Sequence, residues 1–335
     1  MALPPSPMQM YAVVGQELKL ESYQLRRVDV PEPGVGEVRI AIKCTGVGFA
    51  DGLLSTGQYQ LKPPLPFIPG CEFSGVIDAL GPQVINVDIG QPVSAIAMGG
   101  GFAEYAVVPQ ASLTRLPNGM GFAEAAVCWV DYTTALHALR DRGRVRPDET
   151  VLVLGAAGGL GQAAIQIARL LGARVIAAAS SLAKRETALK LGAWQVLEYT
   201  DSSWTEQLKA LTEGRGVDVI FDPVGGAGLE TAFRRLAWGG RHLVLGFAGG
   251  TIPALPTNLP LLKGGSLIGV DVRQFDLYQP LEAAEARAEL AQLIAAKRLQ
   301  PETGRRFTMA QFAEALAASL DRQRIGKTVL EISSS

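Results

Sequence analysis

The sequence predicts an α/β protein of two domains, one rich in short strands and one built around a doubly wound parallel sheet. Three observations predict it. The chain has 335 residues, more than one hydrophobic core usually serves. From Tyr11 to Leu116 it runs in short apolar or alternating stretches, such as EVRIAI, GVIDAL, PVSAIA and AEYAVV, broken repeatedly by Gly and Pro; this is the pattern of strands and turns. From Asp131 strand-like and helix-like stretches alternate as VLVLG, GQAAIQIARLLG, RVIAAA, AKRETALKLG, VDVIFD, GLETAFRRLA and HLVLGF. Such alternation builds parallel sheets with helices on their faces.

The remaining elements complete this plan. The Pro-rich start, MALPPSPMQM, reads as a loose tail, since proline serves neither a ladder nor a helix interior. After LIGVD the chain enters a helical stretch, LEAAEARAELAQLIAAK, then a second around QFAEALAASLDR, and closes in a strand, KTVLEI. These last elements are expected to return to the first domain, which gives residues 1–128 with 273–335 as one domain and 129–272 as the other. No repeat of solenoid length is present.

Composition narrows the function. With 48% hydrophobic and 19% charged residues and 38 glycines, the chain suits an ordinary globular α/β protein. Its net charge of −1, without a Lys or Arg cluster, argues against nucleic acid or an anionic membrane as partner. Cys44, Cys71 and Cys128 are odd in number and far apart, suiting neither a disulfide framework nor a CxxC metal site. No basic region precedes an apolar run at the start and no stretch is long enough to span a bilayer, so a cytoplasmic protein is expected.

The most informative stretch is VLVLGAAGGLGQAAIQIARLLG, where an apolar strand meets a Gly-rich turn that opens a helix. Small residues in the turn let backbone approach a pyrophosphate, Gly161 permits close helix-sheet packing, and a helix N-terminus offers N–H groups without intrahelical partners and a partial positive charge. Ala156 replaces the first glycine of the usual GxGxxG. The turn thereby points to a dinucleotide, with a bare strand-to-helix turn as the competing reading.

The next strand, RVIAAA, ends at Ser180 and Ser181, followed by Lys184 and Arg185. An NAD enzyme places Asp or Glu there to hold the ribose hydroxyls. Hydroxyls and cations without a carboxylate favour a 2′-phosphate, hence NADPH. The alternative is a solvated helix start with serine as N-cap.

AAGGLG, ASSLAK, LGAWQVLEY, GRGVDVIFDPVGG and GFAGGTIPALPTNLPLLKGGSLIGV, with PEPGVGEVRIAIKCTGVGFADGLLSTGQY and PPLPFIPGCEFSGVIDALG before them, resemble the zinc-independent quinone oxidoreductases of the medium-chain dehydrogenase/reductase superfamily. The resemblance spans nearly the whole chain. It implies a GroES-like β-rich catalytic domain, a Rossmann cofactor domain inserted after it and C-terminal elements returning to complete the first domain, with nicotinamide and substrate in the cleft between the two. It further implies that the pyrophosphate rests on Gly158, Gly159 and Leu160, and that the 2′-phosphate meets Ser180, Lys184 and the hydroxyl of Tyr199. By the same resemblance Gly246, Phe247 and Ala248 line the nicotinamide side, while Arg322 and Lys327 reach the cofactor from the C-terminal segment.

Zinc-dependent relatives carry Cys and His in the stretch matching Val47 to Asp51, and Gly-His-Glu where this chain has Gly70, Cys71 and Glu72. Here Gly48, Phe49 and Cys71 occupy those places. A catalytic zinc needs three protein ligands and the relatives' structural zinc four clustered cysteines; with two histidines and three isolated cysteines neither site is expected. Two further departures are Gly48 where the family commonly has Asn and Asp131 where many members have Thr near the nicotinamide ribose. Asp131 is also readable as the cap of a following helix, TTALHALRD.

Without a metal to polarise an oxygen, alcohol oxidation is disfavoured. Hydride donation to an electrophilic acceptor needs mainly positioning and a hydrogen-bond donor. Tyr59, in TGQY, lies where related enoyl reductases place a substrate-side tyrosine and is the candidate donor; packing at the cleft mouth is the competing role. His137, within an apolar helix, and His242, at the opening of a strand, read as structural. Trp129 and Phe49 read as core, or as the wall of an apolar acceptor pocket. The expectation is an NADPH:quinone reductase, with reduction of enones or enoyl thioesters, or NADPH binding with little catalysis, as alternatives. An open apolar edge at SLIGVD predicts a homodimer.

Overall fold

The computed structural model describes residues 8–332. Residues 1–7 of the Pro-rich start lie outside the described residues, whereas Gln9 and Met10, read with that tail, already belong to the first strand. The chain divides into two compact units, one running up to Val130 and resuming at Pro301, the other spanning Asp131–Gln300.

In the first unit β1 (Gln9–Gly15) pairs antiparallel with β2 (Tyr23–Asp29). The larger sheet contains β3 (Glu37–Val47), followed by helix α1 (Phe49–Ser55), then β4 (Glu72–Leu80), β5 (Pro92–Ile96), β6 (Tyr105–Pro109) and β7 (Leu113–Arg115). The alternating apolar residues of β3 become alternate burial, as a sheet with one face on the core requires. Ile40, Ile42, Phe73, Ile77 and Phe102 are all but inaccessible there.

Helix α2 (Phe122–Leu136) carries the chain across the unit boundary at 130/131. The second unit then runs β8 (Thr150–Val153), α3 (Gly159–Leu170), β9 (Arg174–Ala178), α4 (Leu182–Lys190), β10 (Gln195–Leu197), α5 (Trp204–Leu211), β11 (Val217–Asp222), α6 (Gly228–Phe233), β12 (Leu236–Val244), α7 (Asn258–Lys263) and β13 (Ser266–Gly269). Its six strands are parallel in the order β10-β9-β8-β11-β12-β13. Every position of β8 is buried, as a central strand covered on both faces must be. The order reverses between β8 and β11, and the crevice beyond the carboxyl ends of such neighbours is where doubly wound sheets take ligands.

Helices α8 (Val272–Tyr278) and α9 (Pro280–Ala295) follow, then β14 (Thr303–Thr308), α10 (Phe312–Leu320) and β15 (Lys327–Glu331). The last three rejoin the first unit, where β14 pairs with β15 and β15 with β3. Residues 273–300 do not, and this corrects the boundary at 272/273: they pack within the second unit. Phe275 stacks on His137 with ring centroids 3.9 Å apart, and Glu289 binds Arg140 at 2.5 Å.

Candidate functional site

The glycine-rich turn leads from β8 directly into α3. Gly155 takes a left-handed φ of +60°, Gly158 is the N-cap of α3 with no side chain to satisfy the first turn, and the Gly158 N–H donates to the Gly155 carbonyl at 3.1 Å. Gly158, Gly159 and Leu160 are half-exposed, and the first-turn amides of a helix have no intrahelical acceptor. A methyl group on Gly158 would meet only the Gly155 oxygen, at 3.6 Å, so the ground before the helix is open to an anion. The methyl of Ala156, the departure from the glycine pattern, is fully buried, and its N–H donates to Ala178 at 3.2 Å.

At the end of β9, Lys184 lies buried on the first turn of α4 and its Nζ donates to Ser180 Oγ at 3.1 Å. Ser181 is the N-cap of α4, yet its hydroxyl makes no capping bond, so the helix start does not consume it. Arg185 is held by Glu198 at 2.7 Å. β10 pairs with β9 through Leu197 and Ala178, which sets the chain leading to half-exposed Tyr199 beside the end of β9. Two hydroxyls and a buried ammonium fit a 2′-phosphate.

Gly246, Phe247 and Ala248 follow β12 and are half-buried. The loop after β11 holds them: Ala248 N donates to Pro223 O at 3.2 Å and Gly249 N to Val224 O at 2.8 Å. That loop depends on Asp222, which sequence reasoning passed over. The carboxylate is fully buried and accepts from Val224 N, Gly225 N and His242 Nε2. Asp closing an apolar strand before Pro-Val-Gly-Gly is the available sequence signal, a side chain accepting from the backbone two residues on.

In the first unit a second polar cluster surrounds Gly48 and Cys71. Asp51 is buried and accepts from Gly48 N and Cys71 N, both at 2.8 Å. Glu72 accepts from Trp129 N at 2.5 Å and Val130 N at 3.2 Å with one oxygen and from Lys327 Nζ at 2.5 Å with the other. A methyl on Gly48 would meet Lys327 Cε at 3.2 Å, so the lysine stem fills the space beside the glycine. Lys327, read from the sequence as reaching the cofactor, is buried with its ammonium engaged by Glu72. Burial, with the Asp51 carboxylate next, pushes the Cys71 thiol well above its usual value, a poor state for a nucleophile or a thiolate ligand. Among the described residues no group of three or more His, Cys, Asp or Glu side chains is placed to hold a metal ion.

The other candidates are dispersed. Tyr59 packs partly buried against the core of the first unit. Asp131 does not cap a following helix: α2 starts nine residues earlier, and its Ala-rich run carries no breaker, so Asp131 falls in the helix interior. Arg322 is exposed in the turn after α10. His137 lies in a π-helical turn and bonds Asp141 at 3.0 Å. His242 sits near the end of β12 rather than at its opening. Trp129 is fully buried, and the Arg324 guanidinium lies 5.6 Å from the Phe49 ring centre.

The GroES-like domain of alcohol dehydrogenase matches residues 34–118, and the zinc-binding dehydrogenase family matches residues 159–290. Quinone oxidoreductase-like protein 2 of Rattus norvegicus is 38% identical over 304 residues, which cover 90% of this chain and 87% of that one. The chain belongs to the quinone oxidoreductase-like family of the medium-chain dehydrogenase/reductase superfamily. Its first unit is accordingly GroES-like and its second Rossmann-like, and this quinone oxidoreductase-like protein is an NAD(P)-dependent reductase by family. The structure of Escherichia coli quinone oxidoreductase complexed with NADPH superimposes with a TM-score of 0.88 at 25% identity, covering 97% of this chain and 100% of that one. Phthioceranic/hydroxyphthioceranic acid synthase of Mycobacterium tuberculosis is 31% identical over 304 residues, 90% of this chain but 14% of the synthase.

Proposed function

We propose that this quinone oxidoreductase-like protein transfers hydride from NADPH to a quinone without a catalytic metal ion. The observation that carries the cofactor choice is the buried Lys184 ammonium on Ser180 after β9, in a stretch, residues 178–185, that itself carries no Asp or Glu. The pyrophosphate is assigned to the amides at Gly158, Gly159 and Leu160, the 2′-phosphate to Ser180, Ser181, Lys184 and Tyr199, and the nicotinamide side to Gly246, Phe247 and Ala248. Arg322 is assigned to the cofactor and Asp131 to the nicotinamide ribose. Lys327 is assigned instead to neutralising Glu72.

NADPH supplies a hydride when bound. The protein's part is to fix geometry and to stabilise charge growing on the acceptor oxygen, and Tyr59 is the assigned hydrogen-bond donor to that oxygen. A quinone needs no Lewis acid. The zinc-free reading rests on Gly48 and Cys71 standing where zinc-dependent relatives carry Cys and His, and on the Lys327 stem filling the space beside Gly48.

A second reading, reduction of an enone or enoyl thioester, is favoured by the similarity to the phthioceranic/hydroxyphthioceranic acid synthase. The quinone reading is preferred because the sequence of the N-terminal region carries no compact basic cluster for coenzyme A. We assign a homodimer to the edge strand β13, where Leu267 is exposed, as are Trp238 of β12 and Leu261 and Leu262 of α7. Among the described residues no helix is long and apolar enough to cross a membrane.

Equilibrium binding of NADPH and NADH, followed by nicotinamide fluorescence, tests the cofactor choice. Tighter NADPH binding by about tenfold or more, equivalent to ~1.4 kcal/mol, is expected; equal affinities would overturn it.

A further inference from the structure

Asp222 and His242 lie outside the set of groups assigned to cofactor and acceptor, yet both are fully buried. A buried carboxylate is tolerated only when its oxygens are well supplied with donors. Asp222 Oδ1 accepts Val224 N and Gly225 N, both at 2.8 Å, and Oδ2 accepts His242 Nε2 at 2.9 Å. The imidazole makes no other hydrogen bond: Nδ1 is buried without a partner, and one face stacks on Phe233 at 6.0 Å. With the proton on Nε2 the arrangement is complete, whereas a proton on Nδ1 would have no acceptor. His242 thus has one polar task, holding Asp222.

The consequence lies one step further along the chain. Asp222 O, Pro223 O and Val224 O accept in turn from Leu245 N, Ala248 N and Gly249 N at 2.9, 3.2 and 2.8 Å. Gly225 takes a φ of +58°, and a methyl there would lie 2.8 Å from the Phe247 ring. The loop fixed by Asp222 is therefore the template on which residues 245–249 are laid.

We infer that Asp222 and His242 are a positioning couple that sets the Gly246–Phe247–Ala248 segment against the nicotinamide. This rests on the proposed function for the identity of the ligand. The couple itself is testable without the cofactor.

Amide hydrogen exchange of residues 245–249 in the cofactor-free protein is the direct readout. Asp222→Asn keeps the volume but replaces the oxygen facing His242 with a donor, and His242→Leu removes the donor; both should speed exchange at Ala248 and Gly249 by about tenfold or more, against unchanged exchange in β8. His242→Gln, which returns an N–H near the Nε2 position, should restore slow exchange. In turnover, the two disruptive variants should lose kcat on the order of tenfold to a hundredfold, while the dissociation constant for NADPH, set by the phosphates, stays put. Unchanged exchange at Ala248 and Gly249 in folded His242→Leu would overturn the inference, as would a loss in His242→Gln equal to that in His242→Leu. If Asp222→Asn does not fold, the two His242 variants decide the matter. Failure of the wild-type protein to bind NADPH would sink the functional reading and leave the exchange result standing by itself.

Discussion

Gly161 on α3 faces Gly155 so closely that a methyl group on it would lie 2.3 Å from the Gly155 carbonyl oxygen. Backbone opposes backbone there, so no rotamer relieves the contact. Gly161→Ala should lower stability by about 1–3 kcal/mol, although alanine in a free helix would gain ~1 kcal/mol over glycine. Gly158→Ala is the control, since its methyl makes only an ordinary van der Waals contact, 3.6 Å from the Gly155 oxygen: its melting temperature should match the wild type while NADPH binding weakens. Thermal melts and NADPH titrations of the two variants separate helix packing from ligand approach.

Ser180→Asp places a carboxylate where the 2′-phosphate is assigned and beside the Lys184 ammonium. NADPH affinity should fall by about tenfold or more, and NADH affinity should hold or rise as the carboxylate meets the free ribose hydroxyls. Lys184→Met should cost NADPH binding without improving NADH. Parallel titrations with both nucleotides check the pair, and an unchanged preference in Ser180→Asp would remove Ser180 from the site.

The contrast between these residues and those at Asp222 and Glu72 shows what the sequence disclosed. Strand-helix alternation and the glycine-rich turn were legible because period and spacing act locally: Gly158, Gly159 and Ser180 fall at the ends of elements the text marks out. The return of β14 and β15 to the first sheet was legible from the resemblance. The allegiance of α8 and α9 was not, because it is decided by the contacts of Phe275 and Glu289 with residues far away in sequence. Nor was the engagement of Lys327, which is 255 positions from Glu72 along the chain. The start of α2 is not legible because nothing in AEAAVCWVDYTTAL separates a helix before Asp131 from one after it.

Glu72 is buried and shared among two amides and the Lys327 ammonium. Lys327→Met leaves a carboxylate buried without its counter-charge and should destabilise by about 3–5 kcal/mol in denaturant unfolding. Adding Glu72→Gln removes the stranded charge, so the double variant should regain much of that loss. A double variant no better than the single one would show that the lysine acts through its stem alone.

Acid should unfold the Rossmann-like unit through Glu149 and Asp218. Burial alone would raise both, but Arg241 and the Arg146 amide on Glu149, and Arg215 and the Thr150 amide on Asp218, more than offset it and leave each carboxyl below its ordinary range. A carboxyl depressed in the folded state binds protons more readily when unfolded, so its contribution is present at neutral pH and lost as pH falls. The melting temperature should be flat near neutrality and drop as pH falls below about 5. Glu149→Gln should start lower at neutral pH and fall less steeply.

The central claim is hydride transfer from NADPH to a quinone without a metal. Its most direct test is the loss of reduced-nicotinamide absorbance with benzoquinone, phenanthrenequinone and a simple enone, for NADPH and NADH, with and without a chelator. Chelator-insensitive turnover that prefers NADPH and quinones is the predicted result. Turnover abolished by the chelator, or confined to the enone, would contradict it, and tight NADPH binding without reduction of any acceptor would show a binding protein in place of a reductase.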